Sequence, residues 1–215
     1  YLNQVQLGFR GGMRYEYSGH TLVDEWIRTN LHLRFNEFSM MNISFENELE
    51  RYEGIDFSLN SFNINAETNL IKWLPFGFYM GMGDSIFYDP DDPFQGWNNT
   101  YVLYMTAKPN KRLQVSLSLR KQVFWEERGG EEVYDFNVLR TRTTYQLSKT
   151  LSLRAIVDYS HFDEEIYGSF LVSWILRPGT VFFFGVDNNL LKDQFGKFDQ
   201  THYSVFLKFS YWWRM

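Results

Sequence analysis

A two-residue repeat of apolar and polar side chains constrains this chain more than any other feature. At the C-terminal end Tyr203, Val205, Leu207, Phe209, Tyr211 and Trp213 alternate with His202, Ser204, Phe206, Lys208, Ser210 and Trp212. Successive side chains on a strand point to opposite faces, so this alternation predicts a strand with one greasy and one mostly polar face. The pattern recurs upstream. Leu113, Val115, Leu117 and Leu119 interleave with Gln114, Ser116, Ser118 and Arg120, and Ile27, Thr29, Leu31 and Leu33 interleave with Arg28, Asn30, His32 and Arg34. Leu151, Leu153, Ala155, Val157 and Tyr159 do the same against Ser152, Arg154, Ile156, Asp158 and Ser160.

The strand rules place about twelve such segments, near 4–17, 22–35, 39–51, 57–68, 72–83, 99–107, 112–125, 133–146, 150–161, 167–176, 180–187 and 200–213. Most are long enough to cross a bilayer when tilted, which takes about 9–11 residues, whereas ordinary strands run about 5–6. Composition supports the same reading. Aromatic residues make up 20% of the chain, yet hydrophobic residues as a group are only 44%. A chain that is polar on average and this aromatic is expected to turn every second side chain toward something greasy. The fold class expected is therefore all-β, an antiparallel up-and-down transmembrane β-barrel of about twelve strands, or the C-terminal section of a larger one, filling 1–215 as one domain. The location implied is the outer membrane of a Gram-negative bacterium.

The connections point the same way. Short turns are expected at 36–38, near Asn69, at 108–111, at 147–149 and at 177–179. Longer, more acidic connections are expected at 84–98, 126–132, 162–166 and 188–200. Such alternation resembles short periplasmic turns and longer outer loops. Lys108, Lys111, Lys149 and Arg177 would then mark the inner rim. Trp73, Tyr145, Trp174, Tyr211, Trp212 and Trp213 cluster toward the short-turn ends, where the headgroup region suits an apolar ring with a polar tip. The opening at Tyr1 carries no signal peptide, which suggests a mature or trimmed product with an upstream region elsewhere.

If the greasy row faces lipid, the lumen receives Arg28, His32, Arg34, Glu46, Glu48, Arg120, Arg140, Arg142, Arg154 and Asp158, with Asn30, Asn42, Asn63, Ser116, Ser118, Ser204 and Lys208 among them. Pairing residue 34 with 40 around the first short turn sets Arg28 opposite Glu46 and His32 opposite Asn42, while Leu31 faces Ile43 on the other side. Two readings of these groups compete. They form a structural network that stiffens the barrel, or they line a conduit and set its selectivity. The first is the default, because open and closed barrels alike have polar interiors.

Other chemistries find little footing. Cysteine is absent, which excludes disulfides, thiolate metal sites and a thiol nucleophile. A net charge of -5 with no basic aromatic cluster argues against nucleic acid. No run of about 18 apolar residues suggests a membrane helix, a test that barrel strands escape. His161 beside Asp163 and Glu164 is the one candidate for acid–base chemistry at an outer rim, against a solvated loop as the plainer account. Asp84, Asp89, Asp91 and Asp92 lack the spacing of a defined calcium loop. Gly81 and Gly83 lack the strand–loop–helix context of a phosphate cradle and read instead as aids to strand curvature. The Asn98-Asn99-Thr100 triplet matches a glycosylation acceptor by pattern only. No catalytic residue, metal ligand or cofactor is assigned.

The final fifth of the chain resembles a known group. The hairpin Arg177-Pro178-Gly179-Thr180, the Gly185 of the next strand and the closing Val205-Phe206-Leu207-Lys208-Phe209-Ser210-Tyr211 look like the end of large bacterial outer-membrane proteins. Those proteins carry an N-terminal carbohydrate-binding family 9-like sandwich and a C-terminal barrel of unassigned function. No such sandwich precedes the strands here. The resemblance implies a channel, transport or secretion barrel linked to carbohydrate handling. A structural or docking barrel that anchors a surface or periplasmic domain, and a barrel enzyme with rim catalysis, are the alternatives. It also implies that Tyr203, Val205, Leu207, Phe209, Tyr211 and Trp213 form the strand read by the barrel-assembly machinery. Outer-membrane lipid, lipopolysaccharide and the missing N-terminal part or another subunit are the remaining partners implied.

Overall fold

The computed structural model describes residues 2–17, 21–36, 38–193 and 195–212. Its twelve strands are β1 (Gln4–Tyr15), β2 (Leu22–Asn36), β3 (Ser39–Tyr52), β4 (Ile55–Thr68), β5 (Phe76–Phe87), β6 (Phe94–Ala107), β7 (Leu113–Trp125), β8 (Glu132–Gln146), β9 (Leu151–Ser160), β10 (Glu165–Arg177), β11 (Thr180–Lys192) and β12 (Phe198–Tyr211). They form one sheet in sequence order, with β1 and β12 at the two ends of that order. The protein is all-β, and every hairpin is antiparallel with the chain running up and down. Trp213 lies outside the described residues.

Two compact units divide the chain. One comprises 1–70, 76–103 and 120–135; the other comprises 71–75, 104–119 and 136–215. In the first, Leu31 pairs with Ile43 and Arg28 with Glu46, the register expected around residues 36–38. Val5, Leu7 and Phe9 of β1 lie opposite Leu33, Leu31 and Thr29 of β2. Directly opposed residues share a face, so the apolar row is continuous across β1–β3. In the second unit Phe182, Phe184 and Val186 of β11 face Phe209, Leu207 and Val205 of β12. Phe9 is 69% exposed and Leu207 68%, so at these positions the apolar rows are uncovered among the described residues.

Several boundaries differ from the sequence expectation. β5 begins at Phe76, not 72, because Pro75 has no N–H to give a ladder. A turn takes its place, with Leu74 N donating to Ile71 O, while Pro75 and Trp73 carbonyls accept from Thr106 and Lys108. β6 starts at Phe94, not 99, and β11 runs on to Lys192. Ladder pairing needs only backbone groups, so strands continue past the point where the apolar alternation stops.

The contrast of turn lengths shrinks accordingly. The expected long loops at 84–98 and 188–200 reduce to 88–93 and 193–197. In the first unit, at the end that holds 88–93, β3 and β4 join through Glu53 and Gly54 alone, both at positive φ of 49° and 79°, the signature of a tight primed hairpin turn. The opposite end holds the connection 69–75 between β4 and β5. Loop length is therefore not what tells the two ends apart.

Candidate functional site

In the first unit the polar row is knit together by short contacts. Arg28 Nη2 donates to both carboxylate oxygens of Glu46, at 2.6 and 2.7 Å, and its guanidinium lies 5.8 Å from the Trp26 ring centre. A ring nitrogen of His32 lies 2.7 Å from Asn42 Oδ1. Tyr79 donates to Asn63 at 2.7 Å, and the hydroxyl fills the space that a Cβ on Gly81 would need. Arg34 sits opposite Gln4 and Met40, and Glu48 opposite Trp26 and Leu59. Arg120 donates to Gln122, which in turn donates to Tyr134. Beyond the strand end, Tyr88 donates to Glu50; burial, then the Glu50 charge and that bond, push its phenol up to about 12.

One feature of this unit departs from simple alternation. Near the loop end the row that carries Glu46, Asn63 and Asn65 becomes apolar, because Phe57 pairs with Glu50 and Leu59 with Glu48. Phe57 and Leu59 are buried with Ile86, and Phe124, 1% exposed, stacks on Tyr134 at 5.4 Å. Phe94 and Phe87 complete the aromatic group, at 6.0 Å each from Phe124. The Phe124 ring and the Trp125 carbonyl occupy the volume of a Cβ on Gly96, so only glycine lets the ring fold across β6. A signal was present in the sequence: apolar residues occupy odd positions at Phe57 and Leu59 but even ones at Phe62 and Ile64.

The second unit holds an open recess of about 430 Å³ on its polar face. Its wall is built by the β8–β9 register, which sets Arg140 opposite Asp158 and Arg142 opposite Ile156. Arg140 Nε and Nη2 grip the two Asp158 oxygens at 2.8 and 2.6 Å. The arginine remains 64% exposed at its side chain while Asp158 is 18%. On the other side stand Thr106, Ser116 and Ser118, with the Thr106 and Ser116 hydroxyls 3.2 Å apart. Tyr167, opposite Asp158 on β10, donates to Asp187 at 3.1 Å. Arg142 has no ion pair or hydrogen bond among the described residues. Arg154 lies two register pairs beyond Ile156, opposite Thr144 and Leu171, outside the recess lining.

A second recess of about 460 Å³ opens at the turn end of the same unit, lined by Lys108, Lys111 and Arg112 with Gln114, Thr144 and Gln146. Thr144 shares the polar row of Arg142 and Arg140. These two recesses are thus rich in cationic and hydroxyl or amide groups.

The rim candidates do not assemble. His161 has its ring nitrogen 3.5 Å from the Tyr159 hydroxyl, Asp163 accepts from Ser160, and Glu164 pairs with Lys192 at 2.6 Å. Each carboxylate is thus held by a partner other than the imidazole. Asp84, within β5, accepts from Asn60 of β4, and Asp89 Oδ1 accepts from the Asp91 backbone, which shapes the loop.

No protein-family model matches the chain, so the resemblance of its last fifth rests on the motif residues alone. No curated protein matches it either. Solved structures do match. A KdgM porin in complex with disordered oligogalacturonate aligns over 98% of this chain and 100% of its own, at 10% identity and a TM-score of 0.35. The CymD monoaromatic hydrocarbon channel aligns over 88% of this chain and 75% of its own, at 12% identity and a TM-score of 0.38. The P. putida toluene transporter TodX aligns over 86% and 71%, at 9% identity and a TM-score of 0.37. Likeness at this level leaves function to be argued from this chain's own residues.

Proposed function

We propose that this chain is an outer-membrane β-barrel that conducts small polar solutes. The observation that carries the reading is the segregation of the two faces. One face bears the uncovered apolar rows, with Arg51–Asp56 toward a strand end, and the other bears Arg28–Glu46, Arg140–Asp158 and the hydroxyls of the recess. From Tyr203 to Tyr211 the uncovered row extends roughly 26 Å along the strand, or about 20 Å across a bilayer at a tilt of about 40°. That is comparable with the apolar band of about 25 Å on outer-membrane barrels. The exposed aromatics Trp73, Tyr145, Trp174 and Tyr211 of the second unit would form a headgroup girdle. β12 would present its apolar row to the assembly machinery, and lipopolysaccharide would meet the outer ends.

The polar face favours anions in the second unit, where Arg140, Arg142 and Arg154 outnumber Asp158 and Asp187. Conductance in planar bilayers tests the reading. Discrete channels whose reversal potential in a salt gradient shifts toward cations on Arg142→Gln are expected. A folded, inserted protein without conductance overturns it and leaves the anchoring barrel. The ion-paired row of the first unit and its aromatic group favour that second reading, since both stiffen a wall.

A further inference from the structure

We propose that the recess around Arg142 binds a singly charged, hydroxyl-rich carboxylate of the sugar-acid class. The inference deepens the conduit reading and rests on its premise that the polar face meets water. Arg140 is already committed, its fork closed on Asp158 by two charge-assisted bonds. Arg142 lies two residues further along the same face, about 6.7 Å away by strand rise. No described residue bonds to it, and its register partner is Ile156, which cannot neutralise it. A planar guanidinium left open to water in a recess is a seat for a carboxylate, which it can bind through two parallel bonds.

The other walls specify the rest of the ligand. Ser118 has an uncommitted hydroxyl, and Ser116 and Thr106 share only one bond between them. Tyr167 gives its proton to Asp187, which leaves its oxygen as an acceptor. Hydroxyls of a ligand find donors and acceptors here, while Ile156 offers a small apolar surface. The recess is within the size range of small-molecule sites, roughly 300–1,000 Å³. Among the lining residues, two arginines and one aspartate leave one net positive charge, with Asp187 set behind Tyr167, and this matches a monoanion. A dianion would bring its second charge against Asp158.

The test is calorimetric titration of the detergent-solubilised, folded protein with D-glucuronate, beside D-glucose as the neutral counterpart and glucose 6-phosphate as the dianion. Glucuronate is expected to bind at least tenfold more tightly than either. Arg142→Gln is expected to remove at least tenfold of that affinity, and Arg142→Lys to restore part of it. Arg142 supports no other side chain, so both variants should show wild-type heat-modifiable migration on gels. Equal affinity for glucose and glucuronate, no binding of glucuronate, or an unchanged Arg142→Gln overturns the site. Bilayer conductance separates the two claims: channels without glucuronate binding sink only the site, and binding without channels sinks only the conduit.

Discussion

Arg28 and Glu46 face each other across the β2–β3 ladder, one guanidinium nitrogen donating to both carboxylate oxygens. Glu46 is the less exposed partner, at 14% against 44% for Arg28. Removing Arg28 therefore leaves a half-buried carboxylate without its partner, whereas removing Glu46 leaves a cation that can still reach water and the Trp26 ring. Arg28→Met is expected to destabilise more than Glu46→Gln. The coupling in a double-mutant cycle should be about 1 kcal/mol, near the upper end for exposed pairs. Urea unfolding from lipid vesicles measures it. A shift in ion selectivity for Arg28→Met would add a role in the conduit.

Gly185 stands opposite Phe206, whose ring occupies the space a Cβ would need. The glycine named in the sequence resemblance thus has a packing reason: the tip of the ring lies over bare backbone, a known way to protect a strand glycine. Gly185→Ala is expected to cost about 1–3 kcal/mol through overpacking. Phe206→Leu in the same chain should recover much of the loss, because the obstacle is a side chain and not backbone. Paired unfolding measurements on the single and double variants decide this.

A charge on the uncovered row should be far more harmful than one on the polar row. Leu207→Arg places a cation among exposed apolar neighbours, with Phe184 opposite. The cost expected near the middle of a bilayer is about 2–4 kcal/mol. Ser204→Arg, opposite Asp187 on the other face, should cost little. Folding yield into vesicles compares them. Equal tolerance at the two positions would remove the basis for a lipid-facing row.

Tyr88 sets an alkaline limit. Its folded phenol is pushed up to about 12, first by burial and then by Glu50. An unfolded tyrosine ionises near about 10. Because the folded value is the higher, Tyr88 contributes stability that is intact below about pH 10 and is lost as pH rises toward about 12. Tyr88→Phe should flatten the alkaline fall in stability across that window. The phenolate absorbance missing from the difference titration should be the last to appear in the wild type.

Much of this was legible before the structure. Alternation located twelve strands, and the Arg28–Glu46 and His32–Asn42 pairings followed from one choice of turn register. The aromatic group on Phe124 was not, because Phe94, Phe124 and Tyr134 lie on three strands and meet only after folding. Turn lengths were misjudged for a related reason. Asn188, Asn189 and the run Leu190-Leu191-Lys192 break the alternation and read as loop, yet their backbones still pair with neighbouring strands.

Side-chain period and the chemistry of each face are local properties, so the sequence by itself determined an all-β chain with an oily side and a wettable side. Which arginine is spent on a carboxylate and which is left open is a question of register between strands and of rotamer. Arg140 and Arg142 are alike in the sequence. Only the tertiary structure set one against Asp158 and the other against Ile156, because each depends on a partner strand whose side chains lie in the same row.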